Sequence, residues 1–188
     1  MGMVLWIALA VLLGYGVILY NSLVSVKNAV SKAWANIDVL LKQRHDELPK
    51  LVDTCQRYML HEQATLEKVT QARARVAGAR ESHDIGALGS AESALRHGLH
   101  TLFAHVEAYP ELKANEQFLH LQSRISNLEG AIADRREFYN DSVNIYNVRI
   151  EQFPELMIAR WFKFTPSALL QFAADELQDV DIGQRFKP

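Results

Sequence analysis

Apolar side chains recur every three or four residues along most of the chain after residue 20, which is the period of one face of an α-helix. The four clearest series cover residues 23–40, 51–76, 95–109 and 118–153. No convincing run alternates with a period of two, so the pattern predicts no β-sheet. Each stripe needs a partner face to bury it, and the sequence therefore predicts an all-α protein.

Helix breakers divide these stripes into four predicted helices. Their approximate bounds are 21–44, 46–80, 90–109 and 115–152. Short connections favour antiparallel neighbours, so we expect an up-down-up-down bundle of four long helices over residues 21–153.

The break between the first two helices has two interpretations. Asp46 is a suitable N-cap, and Pro49 then falls in the first turn, where proline is tolerated. The apolar period nevertheless passes almost unbroken through Pro49, which suits one long kinked helix. We favour the hairpin, because a single helix of about 60 residues would be roughly 90 Å long and would outstrip its partners.

The other two breaks contain typical turn residues. Residues 81–90 include Gly86 and Gly89 and form the clearest loop, with Ser90 or a near neighbour capping the third helix. Asn115 is the expected cap of the fourth helix.

Residues 3–20 are apolar throughout, and the first charged side chain of the chain is Lys27. About 20 such residues cross the hydrocarbon core of a bilayer. A cleaved signal peptide would need a basic flank and a shorter apolar core, so we predict an uncleaved transmembrane anchor over residues 1–20. Tyr20 is the best placed interfacial aromatic residue. Basic residues follow the anchor rather than precede it, which predicts a cytoplasmic location for residues 21–188.

Composition excludes several classes of function. The net charge of −2 provides no basic excess for nucleic acid, so we expect no nucleic-acid partner. Cys55 is the only cysteine and lies on an apolar stripe, which indicates a buried thiol rather than a nucleophile. His97 and His100 supply only two ligands at helical spacing, too few for zinc. We therefore predict no enzyme activity, no metal and no cofactor.

Polar residues on the apolar stripes are the candidates for specific interactions. Glu62 and Arg135 fall at seam positions, which suggests a buried pair that fixes helix register; both side chains reaching solvent is the slightly favoured alternative. Tyrosine–asparagine pairs repeat seven residues apart and suggest either packing with bonded hydroxyls or a recognition surface. The full set is Asp46, His61, Glu62, Arg135, Tyr139, Asn140, Tyr146 and Asn147.

The predicted tail, residues 154–188, begins with an aromatic and basic segment that includes Trp161, Phe162 and Phe164. Such a segment suits the membrane–water interface. Docking onto the bundle has about equal weight.

Five runs resemble the LemA family, in order along nearly the whole chain. They are YNSLVSVKNAVSKAWANIDVLLKQRHDELPKLV, HEQATLEKVTQAR, EAYPELKANEQFLHLQ, RREFYNDSVNIYNVRIEQFP and FKFTP. The resemblance implies a bacterial single-pass protein of the cell membrane, with a short N-terminus outside and a cytoplasmic antiparallel helical bundle. It also implies links with membrane stress or proteolysis and, in one branch, with organelle-membrane formation.

These observations together favour a non-catalytic, membrane-anchored scaffold or adaptor that contacts lipid and other membrane proteins. The alternative is a homo-oligomer that organises or shapes the membrane.

Overall fold

The computed structural model describes residues 1–171, and within that range it contains six helices and no strand. The helices are α1 (Gly2–Gln56), α2 (Gln63–Glu81), α3 (Ile85–Val106), α4 (Pro110–Lys113), α5 (Glu116–Glu151) and α6 (Glu155–Trp161). The predicted all-α class is confirmed. Residues 172–188, the end of the predicted tail, lie outside the described residues.

Contacts divide the chain into two units. The terminal unit consists of Met1–Leu40 and Gly130–Leu169. The middle unit consists of Leu41–Glu129 together with Leu170 and Gln171 of the described residues. Helices α1 and α5 contribute a segment to each unit, and the predicted up-down order of four long helices stays a prediction.

In the terminal unit, α1 and α5 run in opposite directions. The ring centroids of Trp34 and Tyr139 lie 5.8 Å apart, while Arg149, ten residues further along α5, donates a hydrogen bond of 2.9 Å to the hydroxyl of Ser22. The helix stripes predicted from the sequence supply the core of this unit. Its buried members include Leu23, Val30, Ala33, Ile37, Ile132, Val143, Tyr146 and Ile150.

In the middle unit, α2 and α3 form a tight hairpin. The two helices pack at Gly98, where a Cβ would be in ordinary van der Waals contact with a methyl group of Val69, at 3.4 Å. His83 makes the turn with a positive φ of 55°, and the side chain of Asp84 caps α3 by accepting the amide of Ala87.

The predicted loop over residues 81–90 and the Ser90 cap are therefore wrong, because α3 already begins at Ile85. Gly86 and Gly89, which were predicted to lie in this loop, lie inside α3. The Asn115 cap is confirmed, since its side chain accepts the amide of Phe118 at 2.9 Å.

Helix α1 continues through Pro49, so the predicted hairpin at Asp46 is wrong. The single kinked helix to residue 80 is wrong as well, because the chain leaves the helix after Gln56 and α2 begins at Gln63. Asp46 is exposed within α1 and caps nothing.

Arg73 explains why proline is tolerated inside α1. A proline lacks the N–H that would bond the carbonyl four residues earlier, here that of His45. Nε of Arg73 donates to this carbonyl at 2.9 Å, and its Nη2 lies 2.7 Å from Nε2 of His45. Burial and the neighbouring guanidinium lower the pKa of His45, which keeps Nε2 available as an acceptor.

The apolar start of α1 has a different environment from the rest of the helix. Its most apolar 18-residue window has a mean hydropathy of 2.4, and none of it is buried. It is the one helix of the described residues that is long and apolar enough to cross a membrane.

We expect Arg73→Met to lower the free energy of unfolding by about 1–3 kcal/mol, because it leaves the His45 carbonyl without a donor. Pro49→Ala restores a backbone N–H and should stabilise the Arg73→Met chain more than the unsubstituted chain. Denaturant unfolding of the four chains in detergent measures this coupling. Additive effects would contradict the proposed role of Arg73.

Candidate functional site

The two tyrosine–asparagine pairs of α5 hold the chain's own C-terminal segment. The hydroxyl of Tyr146 donates to the carbonyl of Thr165 at 2.9 Å, and that of Tyr139 donates to the carbonyl of Ala168 at 3.0 Å. Both tyrosines are buried, and burial raises the pKa of each. These hydroxyls therefore stay protonated and act as donors.

Asn147 completes this attachment with two hydrogen bonds to one residue. Its amide group donates to the carbonyl of Ser167 and accepts the amide of Ser167, each at 2.9 Å. The side chain thus imitates a neighbouring β-strand toward an extended backbone. Asn140 is half-buried beside this attachment site. The segment 165–168 occupies the face that the sequence had suggested as a recognition surface.

Within the middle unit, the backbone of Gln171 approaches α3 at Gly89. A Cβ on Gly89 would lie 1.9 Å from the carbonyl oxygen of Gln171. Only glycine leaves room for the backbone at this point.

An aromatic cluster forms where the apolar part of α1 ends. The ring of Tyr20 lies 4.6 Å from that of Phe162 and 6.0 Å from that of Phe164, measured between centroids. Phe162 and Phe164 thus dock on Tyr20, which is one of the two alternatives of equal weight for the tail. Trp161 nevertheless remains 82% exposed and Phe162 53% exposed, which leaves apolar surface beside the apolar helix.

Arg149 fixes the start of α6 to α1. Its guanidinium donates to Ser22 and lies 2.7 Å from the carboxylate of Glu155, and this contact holds the pKa of Glu155 below its usual range. The first turn of α6 is therefore held beside Ser22 of α1.

A buried ion cluster joins three helices of the middle unit. The guanidinium of Arg44 contacts the carboxylates of Glu92 and Glu129, the latter at 2.9 Å. Arg44 is 2% and Glu92 3% exposed. Burial raises the pKa of Glu92 although the Arg44 charge pulls it down. A buried pair of this kind selects one helix register more than it adds stability.

The buried ion pair in the structure is Arg44–Glu92 and not the hypothesised pair of Glu62 and Arg135. Arg135 is exposed, which agrees with the slightly favoured alternative that its side chain reaches solvent and not with the buried pair. The carboxylate of Glu62 lies 3.0 Å from Nδ1 of His105, within the middle unit. The signal for the real pair was present in the sequence, because Arg44 and Glu92 fall in phase with their apolar stripes.

The other predicted polar residue, His61, is exposed at the end of the α1–α2 connection. Cys55 is buried, and burial raises its pKa to about 12, so the thiol is not a nucleophile at neutral pH. Within residues 1–171, no group of three or more His, Cys, Asp or Glu side chains is arranged to hold a metal ion.

The family profile described as the LemA family matches residues 33–183. The chain belongs to the LemA family. It is 28% identical over 165 residues to Protein LemA of Metamycoplasma hominis, which covers 87% of this chain and 74% of that protein.

Magnetosome proteins are also similar to this LemA-family chain. Magnetosome protein MamQ 2 of Paramagnetospirillum magneticum and Magnetosome protein MamQ of Magnetospirillum gryphiswaldense are each 23% identical over 158 residues. The match covers 72% of this chain and 58% of each magnetosome protein. LemA-family proteins are not known as enzymes, and these relatives suggest a membrane-associated protein.

We expect Arg44→Met to lower the free energy of unfolding by about 3–5 kcal/mol at pH 7, because it leaves Glu92 buried without its partner. The folded-state pKa of Glu92 then rises further above its unfolded value of about 4.3. The folded state therefore holds this proton more tightly than the unfolded state, so stability should fall as pH rises above the unfolded pKa.

Unfolding at several pH values measures both effects. Arg124→Met is the matched control, because Arg124 is 52% exposed in its pair with Glu47 and should cost about 1 kcal/mol or less. Equal losses in the two variants, with the same pH slope, would contradict the role of the cluster.

Proposed function

We propose that this LemA-family chain is a non-catalytic scaffold held at a bacterial cell membrane by the apolar start of α1. Residues 1–20 cross the bilayer, the bundle lies on the cytoplasmic side, and its helix surfaces contact other membrane proteins. Membrane stress or protein quality control is the setting that the family resemblance suggests.

The exposure of the apolar segment carries this proposal. Twelve large apolar side chains between Met3 and Ile18 are each at least 43% exposed. Burying one such side chain is worth about 1.5–3 kcal/mol, so hydrating this segment costs of the order of 20 kcal/mol. A hydrocarbon environment for the segment removes this cost.

The distribution of charge supports the cytoplasmic location. Lys27, Lys32 and Lys42 follow the apolar segment, and residues 1–20 carry no charged side chain. Basic residues close to a transmembrane helix favour the cytoplasmic side.

The polar groups of the two units support a scaffold rather than an enzyme. The hydroxyls of Tyr139 and Tyr146 hold the chain's own backbone, and Arg44 is occupied by two carboxylates. These groups stabilise one arrangement of helices, which is the property that a scaffold needs.

Alkaline carbonate extraction and thiol labelling of the full chain test the anchor and its direction. The chain should stay with membranes. Ser126→Cys, at an exposed site, should react with a membrane-impermeant maleimide in inverted vesicles but not in intact cells. Gly2→Cys should show the opposite result. The unsubstituted chain is the background control, because Cys55 is buried. Extraction by carbonate, or labelling of Ser126→Cys from outside, would overturn the proposal.

An exposed apolar stripe on α5 favours a second candidate, a homo-oligomer that organises the membrane. Phe138 and Ile145 lie seven residues apart on one face of the terminal unit and are 54% and 55% exposed. A helix face of this kind pairs with a second copy or with another helix.

Light scattering of the full chain in detergent tests this candidate. An oligomer built on the stripe should dissociate in the double variant Phe138→Ser and Ile145→Ser. It should persist in Leu119→Ser, which removes an equally exposed side chain of the middle unit. A monomer in all three chains would exclude this use of the stripe.

A further inference from the structure

We infer that a cleft at the end of the apolar helix binds the phosphate group of an anionic phospholipid. The cleft has a volume of about 330 Å³ and lies entirely in the terminal unit. It is lined by Tyr20, Val24, Lys27, Asn28, Phe162, Lys163 and Phe164. The inference rests on the proposed membrane anchor, because the anchor sets the depth of the cleft.

The position of the cleft along α1 matches the headgroup layer. Its lining begins at Tyr20, where the apolar run ends, and extends to Asn28. Lys27 lies seven residues beyond Tyr20, or about 10 Å along the helix axis. The headgroup layer on each side of a bilayer is roughly 5–8 Å thick. Side chains of α1 also lean toward its N-terminus, so the ammonium group of Lys27 lies nearer the bilayer than its own backbone does.

The charge of the cleft selects an anion. Lys27 and Lys163 bring two ammonium groups to it, Asn28 adds an amide, and its lining within the described residues includes no carboxylate. Three aromatic rings alone would suit a quaternary ammonium group. Two lysines beside them disfavour a cation, so phosphatidylglycerol fits this cleft better than phosphatidylcholine.

The backbone at Lys163 singles out its side chain. The end of α6 closes with the amide of Phe164 bonded to the carbonyl of Ala159 at 2.9 Å, and Lys163 has a positive φ of 55°. This helix ending favours glycine, which adopts a positive φ without steric strain. The chain carries a lysine here, and its side chain lines the cleft.

Aromatic contacts hold the wall of the cleft that contains Phe164 and Tyr20 in place. The ammonium group of Lys27 lies 5.6 Å from the ring centroid of Phe164, whose ring also contacts that of Tyr20. A lipid bound here would place its phosphate between the two lysines. The glycerol end of its acyl chains would then lie against Tyr20 and Val24. This apolar wall favours a lipid over free phosphate.

Lipid titration of the full chain in neutral detergent, followed by native mass spectrometry, tests the inference. Phosphatidylglycerol should bind about tenfold more tightly than phosphatidylcholine, and Lys27→Gln should weaken its binding about fivefold. Lys163→Gly should weaken it similarly while leaving the thermal unfolding midpoint equal or higher, because glycine relieves the strained φ. Lys32→Gln removes an exposed charge of the same helix outside the cleft and should have no effect.

A hundredfold excess of inorganic phosphate should leave the bound phosphatidylglycerol in place. Displacement by inorganic phosphate would overturn the lipid assignment. Equal affinities for the two lipids, or equal affinities in Lys27→Gln and the unsubstituted chain, would overturn the site itself. Failure of the proposed membrane anchor would be detected separately, because carbonate extraction tests the anchor without reference to the lipid headgroup.

Discussion

The structure depends on a constraint within α1: a single helix of 55 residues carries both an exposed apolar segment and a stripe buried against other helices. Its first eighteen residues expose apolar side chains throughout, whereas from Leu23 onward a regular stripe is buried against other helices. The helix is continuous from the apolar segment to the buried stripe, and its backbone hydrogen bonds are made internally except at the His45 carbonyl. Pro49 is the weak point of this continuity, and Arg73 compensates for it by bonding the His45 carbonyl.

The C-terminal segment is attached both to α5 and to the end of the apolar part of α1. Tyr139, Tyr146 and Asn147 hold its backbone against α5, and Phe162 packs on Tyr20. Residues far apart in sequence thereby meet where the apolar part of α1 ends. Trp161 is 82% exposed and directly precedes Phe162 in this arrangement. This arrangement links the scaffold and lipid-binding proposals through one set of contacts.

Most of the helices could be predicted from the sequence, because apolar periodicity and the Asn115 cap are local signals. The first break could not, because the donor for the His45 carbonyl comes from Arg73, 28 residues further along the chain. The partners of Tyr146 and Asn147 were equally hidden, since backbone carbonyls leave no trace in a side-chain pattern. Arg44 and Glu92 were detectable as charges in phase with apolar stripes, but the sequence alone does not indicate which charges pair.

Fluorescence quenching by brominated lipids tests the central claim, that the apolar start of α1 lies in hydrocarbon. Three chains, each retaining only Trp6, Trp34 or Trp161, are reconstituted in bilayers with bromine either deep in the acyl chains or near the headgroup. We expect strong quenching of Trp6 by the deep label, quenching of Trp161 mainly by the shallow label, and little quenching of Trp34. A Trp6 signal unaffected by either label would contradict the location of this segment in hydrocarbon.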